Sequence, residues 1–335
     1  MSKIMVLGAG GYIGIPLVKE LLENDYEVVC LDRFFFGENL LLNEISQFKD
    51  KFKLIKKDIR SLSKGHFDKI DIVFDLAGLS NDPSCDLDPK LTKSINSNSV
   101  EMNVKLAKDS GVERYIYFSS CSIYGSGENS KVDENSSFNP VSEYAKAKIN
   151  AENYVFRENS KKFTTTCMRN STVFGLAPRM RFDLVVNIMT KIALQEKRLY
   201  ILGGGNQWRP LIHVKDLVDA AMIFLRAPKE KISGQAFNVG GNHLNYKVSE
   251  IAKKISDTMT DNIELIKVPD DDDKRSYRVE FKKIKNNLNF VPNISIEDGV
   301  NEICEALKKN KINPDDIRWN TLQYYQKIIK DIESF

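Results

Sequence analysis

Residues 3–14 read Lys-Ile-Met-Val-Leu-Gly-Ala-Gly-Gly-Tyr-Ile-Gly. The apolar run at residues 4–7 is too short for a helix and ends on a glycine, as a buried parallel strand does. Gly8, Gly11 and Gly14 follow at three-residue intervals, and apolar residues recur at helical spacing over residues 15–22. Strand, glycine turn and helix form the first half of a βαβ unit that binds a dinucleotide. We therefore predict a dinucleotide site here, where the free N–H groups of the helix attract phosphate.

The three glycines have separate roles in such a turn. Gly8 allows the chain to turn sharply, Gly11 allows the backbone to approach a pyrophosphate, and Gly14 allows the helix to pack close to the strand. The spacing resembles that of the short-chain dehydrogenase/reductase class, since Ile13 stands where the other dinucleotide fingerprint requires glycine. Tyr12 and Ile13 are predicted to contact the cofactor. The alternative, a glycine-rich turn without a ligand, is disfavoured by the N-terminal placement and by the strand that follows.

A second strand is predicted at residues 27–31 and ends in Asp32. A carboxylate at that position accepts hydrogen bonds from the adenosine ribose hydroxyls and repels a 2′-phosphate, so the predicted cofactor is NAD. The neighbouring Arg33 leaves alternatives open, because a guanidinium can hold that phosphate or stack on adenine. A third strand at residues 53–55 is followed by Asp58 and Ile59, where a side chain is predicted to reach adenine.

Length and composition exclude several classes of function. The chain has 335 residues, of which 42% are hydrophobic and 28% charged, with a net charge of +3. The small, scattered basic excess includes no base-reading motif, so no nucleic-acid partner is expected. No apolar run reaches the roughly 18 residues of a membrane span and no signal peptide is seen, so we expect a cytoplasmic protein without a membrane partner. Five cysteines without paired spacing agree with a reducing compartment, and no metal site is predicted.

Strands and helices are predicted to alternate up to residue 168, which indicates an α/β fold with a doubly wound parallel sheet. Leu76, Ala77 and Gly78, at the carboxyl end of the fourth strand, are predicted to lie over the cofactor. The polar turn after them places Ser80 and Asn81 on the same rim. The predicted strands are residues 71–77, 114–119 and 163–168, and the predicted helices are residues 91–109 and 142–158.

The regular alternation fails after residue 169, where we predict a smaller mixed α/β substrate domain. The dinucleotide-binding domain is expected at 1–168, with 211–240 returning to it, and the substrate domain at 169–210 and 241–335. The acidic run 270–273 indicates either a solvated loop or a cation site. Predicted elements are helices at 184–195, 212–227, 247–259, 299–309 and 315–332 and a strand at 236–239.

Tyr144 and Lys148 stand four residues apart on a predicted helix, which places them on one face. A free phenol ionises near pKa ~10 and is a weak base at neutral pH. A nearby ammonium group and a positive nicotinamide ring favour the phenolate. Tyr144 is therefore predicted to take a proton from a substrate hydroxyl, and Lys148 to hold the nicotinamide ribose as well. Ser120, at the end of the fifth strand, is predicted to hydrogen-bond the reacting oxygen; the alternative is a serine-rich loop.

These motifs resemble the extended short-chain dehydrogenase/reductases, the NAD-dependent sugar epimerase/dehydratase family, over nearly the whole chain. The resemblance identifies Ser120, Tyr144 and Lys148 as the catalytic triad and places Asn96, a poor helix residue, with the cofactor residues as a structural Asn. It implies a nucleotide-sugar substrate, and a homodimer formed through the two long helices at 91–109 and 142–158. The substrate-binding residues that it implies are Ser80, Asn81, Ser122, Asn170, Arg181, Arg209 and Arg275.

Two departures from the family pattern narrow the expected reaction. The 4,6-dehydratases of the family carry Thr-Asp-Glu where this chain has Ser120, Cys121 and Ser122, so no dehydratase activity is expected. The runs 79–83 and 178–183 look unlike ordinary UDP-galactose epimerases and resemble bacterial surface-polysaccharide enzymes, such as the GDP-heptose C4 dehydrogenases of capsule synthesis. We expect oxidoreduction at C4 of a nucleotide-linked sugar. The alternatives are a 4-epimerase and a non-catalytic dinucleotide-binding regulator.

Overall fold

The strand before the glycine turn becomes the centre of a large sheet. The computed structural model describes residues 2–269 and 275–333. Its strands are β1 (Lys3–Leu7), β2 (Glu27–Asp32), β3 (Phe52–Lys56), β4 (Ile72–Asp75), β5 (Arg114–Ser120), β6 (Ser126–Val132), β7 (Thr164–Asn170), β8 (Thr172–Phe174), β9 (Arg198–Ile201), β10 (Trp208–His213), β11 (Gln235–Val239), β12 (Asn245–Lys247), β13 (Glu264–Lys267) and β14 (Ser276–Val279). Its α-helices are α1 (Gly14–Glu23), α2 (Asn39–Ile45), α3 (Asp82–Asp86), α4 (Pro89–Lys93), α5 (Ser99–Asp109), α6 (Glu143–Arg157), α7 (Val185–Glu196), α8 (Val214–Arg226), α9 (Lys229–Ile232), α10 (Val248–Thr258), α11 (Lys282–Leu288), α12 (Ile296–Lys308) and α13 (Thr321–Glu333).

Seven strands form one sheet in the order β11-β7-β5-β4-β1-β2-β3, and every pairing in it is parallel. The central β1 pairs Val6 with Cys30 of β2 and with Phe74 of β4. Residues 4–7 are completely buried, as expected of a strand covered on both faces. The predicted doubly wound parallel sheet is confirmed.

Two apolar layers cover the faces of this sheet. On one face, α1 and α8 contribute Leu17, Val18 and Leu217 to a buried cluster. On the other face, α5 and α6 contribute Val104 and Ala151 to a second cluster. The helices therefore lie on both faces, which leaves the carboxyl ends of the strands open as a binding edge.

A smaller mixed region follows the sheet. Its core cluster includes Val186 of α7, Ile251 of α10 and Val300 of α12. Three small sheets (β12-β10-β8, β13-β9 and β14-β6) belong to the remaining strands, none of which was predicted. The edge strand β11, by contrast, lies within the segment 211–240 that was expected to return to the first domain. The acidic run 270–273 lies outside the described residues.

Several predicted boundaries were wrong for local reasons. Residues 211–213 end β10, because Leu211 and Ile212 pair with β8, and the helix begins at Val214. The last helix begins at Thr321 because a 3-10 turn at Ile317–Trp319, capped by Asp316, precedes it. Helices α2, α3, α9 and α11 were not predicted. No helix within the described ranges is long and apolar enough to cross a membrane.

The helix predicted at 91–109 is interrupted by a π-helical turn at Ser94–Asn98. The buried Asn96 lies in this turn and points inward, where its Nδ2 donates to the Leu79 carbonyl and its Oδ1 accepts from the Leu79 amide, both at 2.8 Å. This pair of bonds fixes the loop after β4. Asn96 is therefore a buried polar residue that holds this loop by hydrogen bonds.

Candidate active site

The glycine turn between β1 and α1 is fixed by close backbone contacts. Gly8 adopts φ +87°, and a Cβ there would lie 2.9 Å from the Ala77 amide nitrogen. A Cβ on Gly14 would lie 2.1 Å from the Gly8 carbonyl oxygen, so a side chain at this position would push α1 away from the strand. The separate roles expected for these two glycines agree with this geometry.

Asp32, at the end of β2, faces the turn. Its carboxylate accepts hydrogen bonds from the Gly10 amide at 2.9 Å and from the Phe34 amide at 2.6 Å. The Arg33 guanidinium donates to Asp58 at 3.2 Å and lies 4.4 Å from the centre of the Phe35 ring. The end of the site that was predicted to hold adenosine is thus formed by the Asp32 carboxylate, the two amides bonded to it, and the Arg33 guanidinium, which is hydrogen-bonded to Asp58.

A cavity lies against these residues, and we call it the dinucleotide cavity. Twelve of the residues predicted to contact the cofactor line it: Gly8, Gly11, Tyr12, Ile13, Gly14, Asp32, Arg33, Asp58, Ile59, Leu76, Ala77 and Gly78. The remaining two, Asn96 and Lys148, do not line it. Asn96 lies behind the β4 loop that it fixes, and Lys148 lies in the adjoining cavity.

The chemistry of this lining fits a dinucleotide. The turn supplies backbone N–H groups at the start of α1, the Asp32 carboxylate can accept from ribose hydroxyls, and Phe35 and Ile59 offer apolar surface to a base. A Cβ at Gly10 would lie 2.8 Å from the Phe34 ring, so the glycine turn that faces Asp32 also has little room for a side chain at this position. The residues present can therefore hold NAD.

The predicted catalytic side chains come together at a second cavity, which we call the catalytic cavity. Ser120, the last residue of β5, and Tyr144 and Lys148 of α6 line it together. Ser120 is close enough to Tyr144 to lower the pKa of its phenol, and Lys148 Nζ donates to the Phe118 carbonyl at 2.7 Å. The helix is oriented by its cap, since the Ser142 hydroxyl accepts from the Ala145 amide.

Burial opposes ionisation of this pair. It raises the pKa of the Tyr144 phenol well above its ordinary value, whereas the Arg181 charge and the Ser120 hydrogen bond act in the opposite direction. Burial also lowers the pKa of Lys148 to about 8, and the Asp75 charge is the largest influence that raises it. The side chains around Tyr144 therefore do not by themselves produce the lowered pKa that was expected for it.

The basic residues predicted to bind substrate occupy different surroundings. Arg181 lines both cavities and is paired with Asp183 at 2.5 Å. Arg275 lines the catalytic cavity and is paired with Asp82. Arg209 is buried and does not line either cavity; it donates to the carbonyls of Trp208 and Arg275. The structure thus brings Arg181 and Arg275 to the site and places Arg209 behind Arg275.

The remaining predicted substrate residues, Ser80, Asn81, Ser122 and Asn170, all line the catalytic cavity. Within the part of the chain that the structure describes, three buried oxygens on its wall have no hydrogen-bond partner: the hydroxyls of Ser119 and Ser122 and the Asn170 Oδ1. A buried polar atom without a partner is costly, so these oxygens fit a ligand that offers hydroxyl groups.

Several residues of the site were not predicted. The catalytic cavity also includes Asp82 and Tyr277, and the dinucleotide cavity includes Phe35, Phe36, Lys57, Arg179, Tyr325 and Ile332. Phe35 and Phe36 belong to a run of three phenylalanines, residues 34–36, that begins directly after Arg33, and this aromatic run was an available signal. Tyr325 and Ile332 come from α13, almost 300 residues after the loop that follows β2, and no local pattern indicates that they lie at this cavity.

The parallel sheet, glycine turn and Tyr-x-x-x-Lys helix define a nicotinamide-dependent enzyme of the short-chain dehydrogenase/reductase class. A family model described as "NAD dependent epimerase/dehydratase family" matches residues 4–240. The chain belongs to this family, which confirms both the predicted class and the predicted cofactor, NAD.

The chain is similar to proteins with different reactions. The mouse (Mus musculus) dTDP-D-glucose 4,6-dehydratase is 26% identical over 333 residues, which cover 92% of this chain and 89% of that protein. The UDP-glucose 4-epimerase of Mycolicibacterium smegmatis is 29% identical over 324 residues, with coverages of 91% and 98%. The Bacillus cereus UDP-glucuronic acid 4-epimerase, solved with UDP-glucuronic acid and NAD, superposes with a TM-score of 0.79 at 24% identity, covering 92% and 99%. Similarity therefore establishes the family and the fold but not the reaction.

Proposed function

We propose that the chain is an NAD-dependent oxidoreductase acting at C4 of a nucleotide-linked sugar. One observation carries this proposal: Ser120, Tyr144 and Lys148 line a cavity that shares seven lining residues with the dinucleotide cavity. A substrate carbon held by these side chains would therefore lie next to the space that fits NAD. The shared residues are Tyr12, Ile13, Leu76, Gly78, Leu79, Ser80 and Arg181.

The side chains of the catalytic cavity have complementary roles in this proposal. Tyr144 accepts the proton of the C4 hydroxyl, Ser120 hydrogen-bonds the same oxygen, and Lys148 contributes positive charge and holds the nicotinamide ribose. Oxidised NAD supplies a hydride acceptor and a positive ring when it is bound. Because burial opposes the Tyr144 phenolate, we expect proton abstraction to depend on the positive charges beside the phenol, those of Lys148 and of bound oxidised NAD.

The walls of the catalytic cavity support a nucleotide-sugar substrate. The unpartnered oxygens of Ser119, Ser122 and Asn170 suit sugar hydroxyls, and Arg181 and Arg275 suit a diphosphate. Arg209, which donates to the Arg275 carbonyl, would position Arg275 rather than contact the diphosphate itself.

The two runs that are unlike ordinary UDP-galactose epimerases meet at the site. Asn81 Nδ2 donates to Asp183 Oδ2 at 2.7 Å, which joins the run 79–83 to the run 178–183. Residues of both runs line the cavities, so their sequence forms part of the proposed substrate walls. This supports a GDP-heptose or a related sugar in surface-polysaccharide synthesis as the substrate class. The 4-epimerase alternative is favoured by the similarity to the M. smegmatis UDP-glucose 4-epimerase.

We also propose that the chain is not a 4,6-dehydratase. Cys121 is buried with its thiol donating to the Arg169 carbonyl at 3.1 Å, and burial raises the pKa of that thiol. Ser122 lines the cavity but carries a hydroxyl where an acid or base is needed. Among the described lining residues the one carboxylate is Asp82, which is already paired with Arg275 and hydrogen-bonded by Ser142.

The test is incubation with GDP- and UDP-linked sugars, with the products separated and identified by mass spectrometry. Loss of two hydrogens at C4 supports the dehydrogenase, an isomer of unchanged mass supports the 4-epimerase, and loss of water contradicts the exclusion of dehydratase activity. Binding of NAD without turnover of any nucleotide sugar would favour the regulator. The proposal also includes a cytoplasmic location and a homodimer formed through α5 and α6. Light scattering of the purified chain tests the dimer.

A further inference from the structure

Arg179 is a buried cation on the wall of the dinucleotide cavity. Only 2% of its surface is exposed, its Cζ lies 3.7 Å from the centre of the Phe36 ring, and Nη2 donates to the Thr321 hydroxyl at 3.0 Å. Its buried Nε has no hydrogen-bond partner among the described residues. Within residues 2–269 and 275–333 no carboxylate forms an ion pair with Arg179. Asp32 lines the same cavity and is close enough for the Arg179 charge to lower the pKa of its carboxyl, but burial has the larger effect and raises that pKa.

The neighbouring Arg181 shows what Arg179 lacks. Arg181 is also buried, but Asp183 pairs with it at 2.5 Å and neutralises it. Burial lowers the pKa of Arg179 to about 10, so its guanidinium is still charged at neutral pH. An isolated buried charge is expensive unless an opposite charge compensates it. A positive group of this kind beside a cavity that fits an anionic dinucleotide calls for a ligand with negative charge.

The geometry points to Arg179 as a residue that binds the diphosphate of the dinucleotide. The inference rests on the proposal that NAD occupies this cavity. A diphosphate could also come from the nucleotide sugar, but Arg179 lines the dinucleotide cavity and not the catalytic cavity. A guanidinium with a free N–H in a dry site gives a strong, charge-assisted hydrogen bond to a phosphate oxygen.

The C-terminal helix holds Arg179 in place and closes the cavity around it. Thr321, Tyr325 and Ile332 lie on one face of α13; the first binds Arg179, and the other two line the cavity. This helix is attached to the loop after β2, because the Tyr324 hydroxyl donates to the Phe35 carbonyl at 2.7 Å. The diphosphate site therefore includes a segment far beyond the glycine turn.

The experiment compares the full-length wild type with Arg179→Met and a control, Arg226→Met. Arg226 is exposed at the end of α8, where its guanidinium donates to Asn24 Oδ1 at 2.6 Å, and it does not line the dinucleotide cavity. Affinities for adenosine, ADP, NAD, UDP and GDP are measured by competition with labelled NAD. We expect Arg179→Met to weaken ADP and NAD by about tenfold or more and to leave adenosine within roughly twofold. Arg226→Met should bind all of them as the wild type does.

A second measurement excludes a merely structural role. Because methionine replaces an uncompensated buried charge, the unfolding temperature without nucleotide should not fall in Arg179→Met, whereas the rise caused by NAD should shrink. Equal weakening of adenosine and ADP, unchanged NAD affinity, or a selective loss of UDP or GDP binding would overturn the inference. Failure of the wild type to bind NAD would instead overturn the cavity assignment, and turnover of sugars does not enter either measurement.

Discussion

The dinucleotide cavity and the catalytic cavity adjoin, but they are built in different ways. The first depends on backbone: a glycine at φ +87°, amides that bind Asp32, and a helix that approaches a carbonyl to a distance no side chain allows. The second depends on side chains from separate elements, including Ser120 of β5 and Tyr144 and Lys148 of α6. The cofactor end is thus fixed by chain geometry, and the reacting end by packing.

This difference separates binding from reactivity. Backbone amides keep their hydrogen-bonding character when they are buried, so the glycine turn suits a phosphate with or without neighbouring charges. Burial instead raises the pKa of Tyr144 and lowers the pKa of Lys148, so it disfavours the charged form of each side chain. Variants should therefore divide into those that change chemistry and leave NAD bound, and those that change NAD binding or the fold.

The largest effect should come from Tyr144→Phe. Removal of the phenol hydroxyl deletes the proposed base, and kcat for the nucleotide sugar should fall roughly 100- to 10,000-fold. NAD affinity should stay within about twofold of the wild-type value, because Tyr144 lines the catalytic cavity and not the dinucleotide cavity. Steady-state kinetics and NAD titration check the two parts. Tyr154→Phe, on the same helix but outside both cavities, is the control. Retained turnover in Tyr144→Phe would contradict its assignment as the base.

A pH-dependent stability effect should come from Lys148→Met. The pKa of Lys148 is about 8 in the folded chain and 10.5 ordinarily, so between these values the unfolded chain binds a proton that the folded chain does not. Wild-type stability, relative to that of the methionine variant, should therefore rise with pH through this window by up to about 3 kcal/mol. Below pH 8 the full cost of the buried charge is present in the wild type.

The measurement is chemical denaturation of both proteins at several pH values between 7 and 11, compared as a difference so that other titrating groups cancel. Lys146→Met, an exposed residue on the same helix, should show no such window. If the difference in free energy of unfolding between Lys148→Met and the wild type stays constant with pH, the pKa of Lys148 is not lowered by burial.

Much of the fold could be predicted because its determinants are local. The apolar run at 4–7, the glycine spacing and the strand that ends at Asp32 each specify structure within a few residues. The small sheets after residue 170 could not be predicted in this way. β8 has three residues and β9 has four, and each pairs with a strand far along the chain, so neither carries a periodic pattern of useful length.

The site was predictable to the same extent. Residues next to a strand end, such as Asp32, Leu76 and Ser120, line a cavity because parallel strands bring their carboxyl ends to one edge. Arg209 was expected at the diphosphate by resemblance, but it lies behind Arg275. Tyr325 reaches the cofactor end through helix packing, which depends on tertiary contacts that spacing does not encode.

A moderate loss of stability should come from Gly14→Ala. The added Cβ would meet the Gly8 carbonyl oxygen at 2.1 Å, so α1 must shift, at a cost of about 1–3 kcal/mol. The same shift moves the helix N-terminus and should weaken NAD binding. Thermal unfolding with and without NAD measures both effects. Gly65→Ala, where the nearest atom to a Cβ would be 3.9 Å away, is the matched control. A Gly14→Ala variant as stable as the wild type would contradict the claim that α1 packs too closely on the Gly8 carbonyl to allow a side chain at position 14.

The smallest effect should come from Asp32→Asn, and it tests whether one side chain adds selectivity to a cavity built mainly by backbone. The amide can still accept from the Gly10 or Phe34 N–H, so the loop should keep its shape. Loss of the negative charge weakens the ribose hydrogen bonds, and NAD affinity should fall by roughly tenfold. NADP affinity should not fall with it, because the repulsion of a 2′-phosphate is removed while Arg33 remains nearby. Titration with both nucleotides measures the ratio, and Asp71→Asn, whose carboxylate accepts from the Lys3 amide at the start of β1, controls for charge alone. If the ratio of NAD to NADP affinity does not change, selectivity is set by the backbone and by Arg33 rather than by the acid.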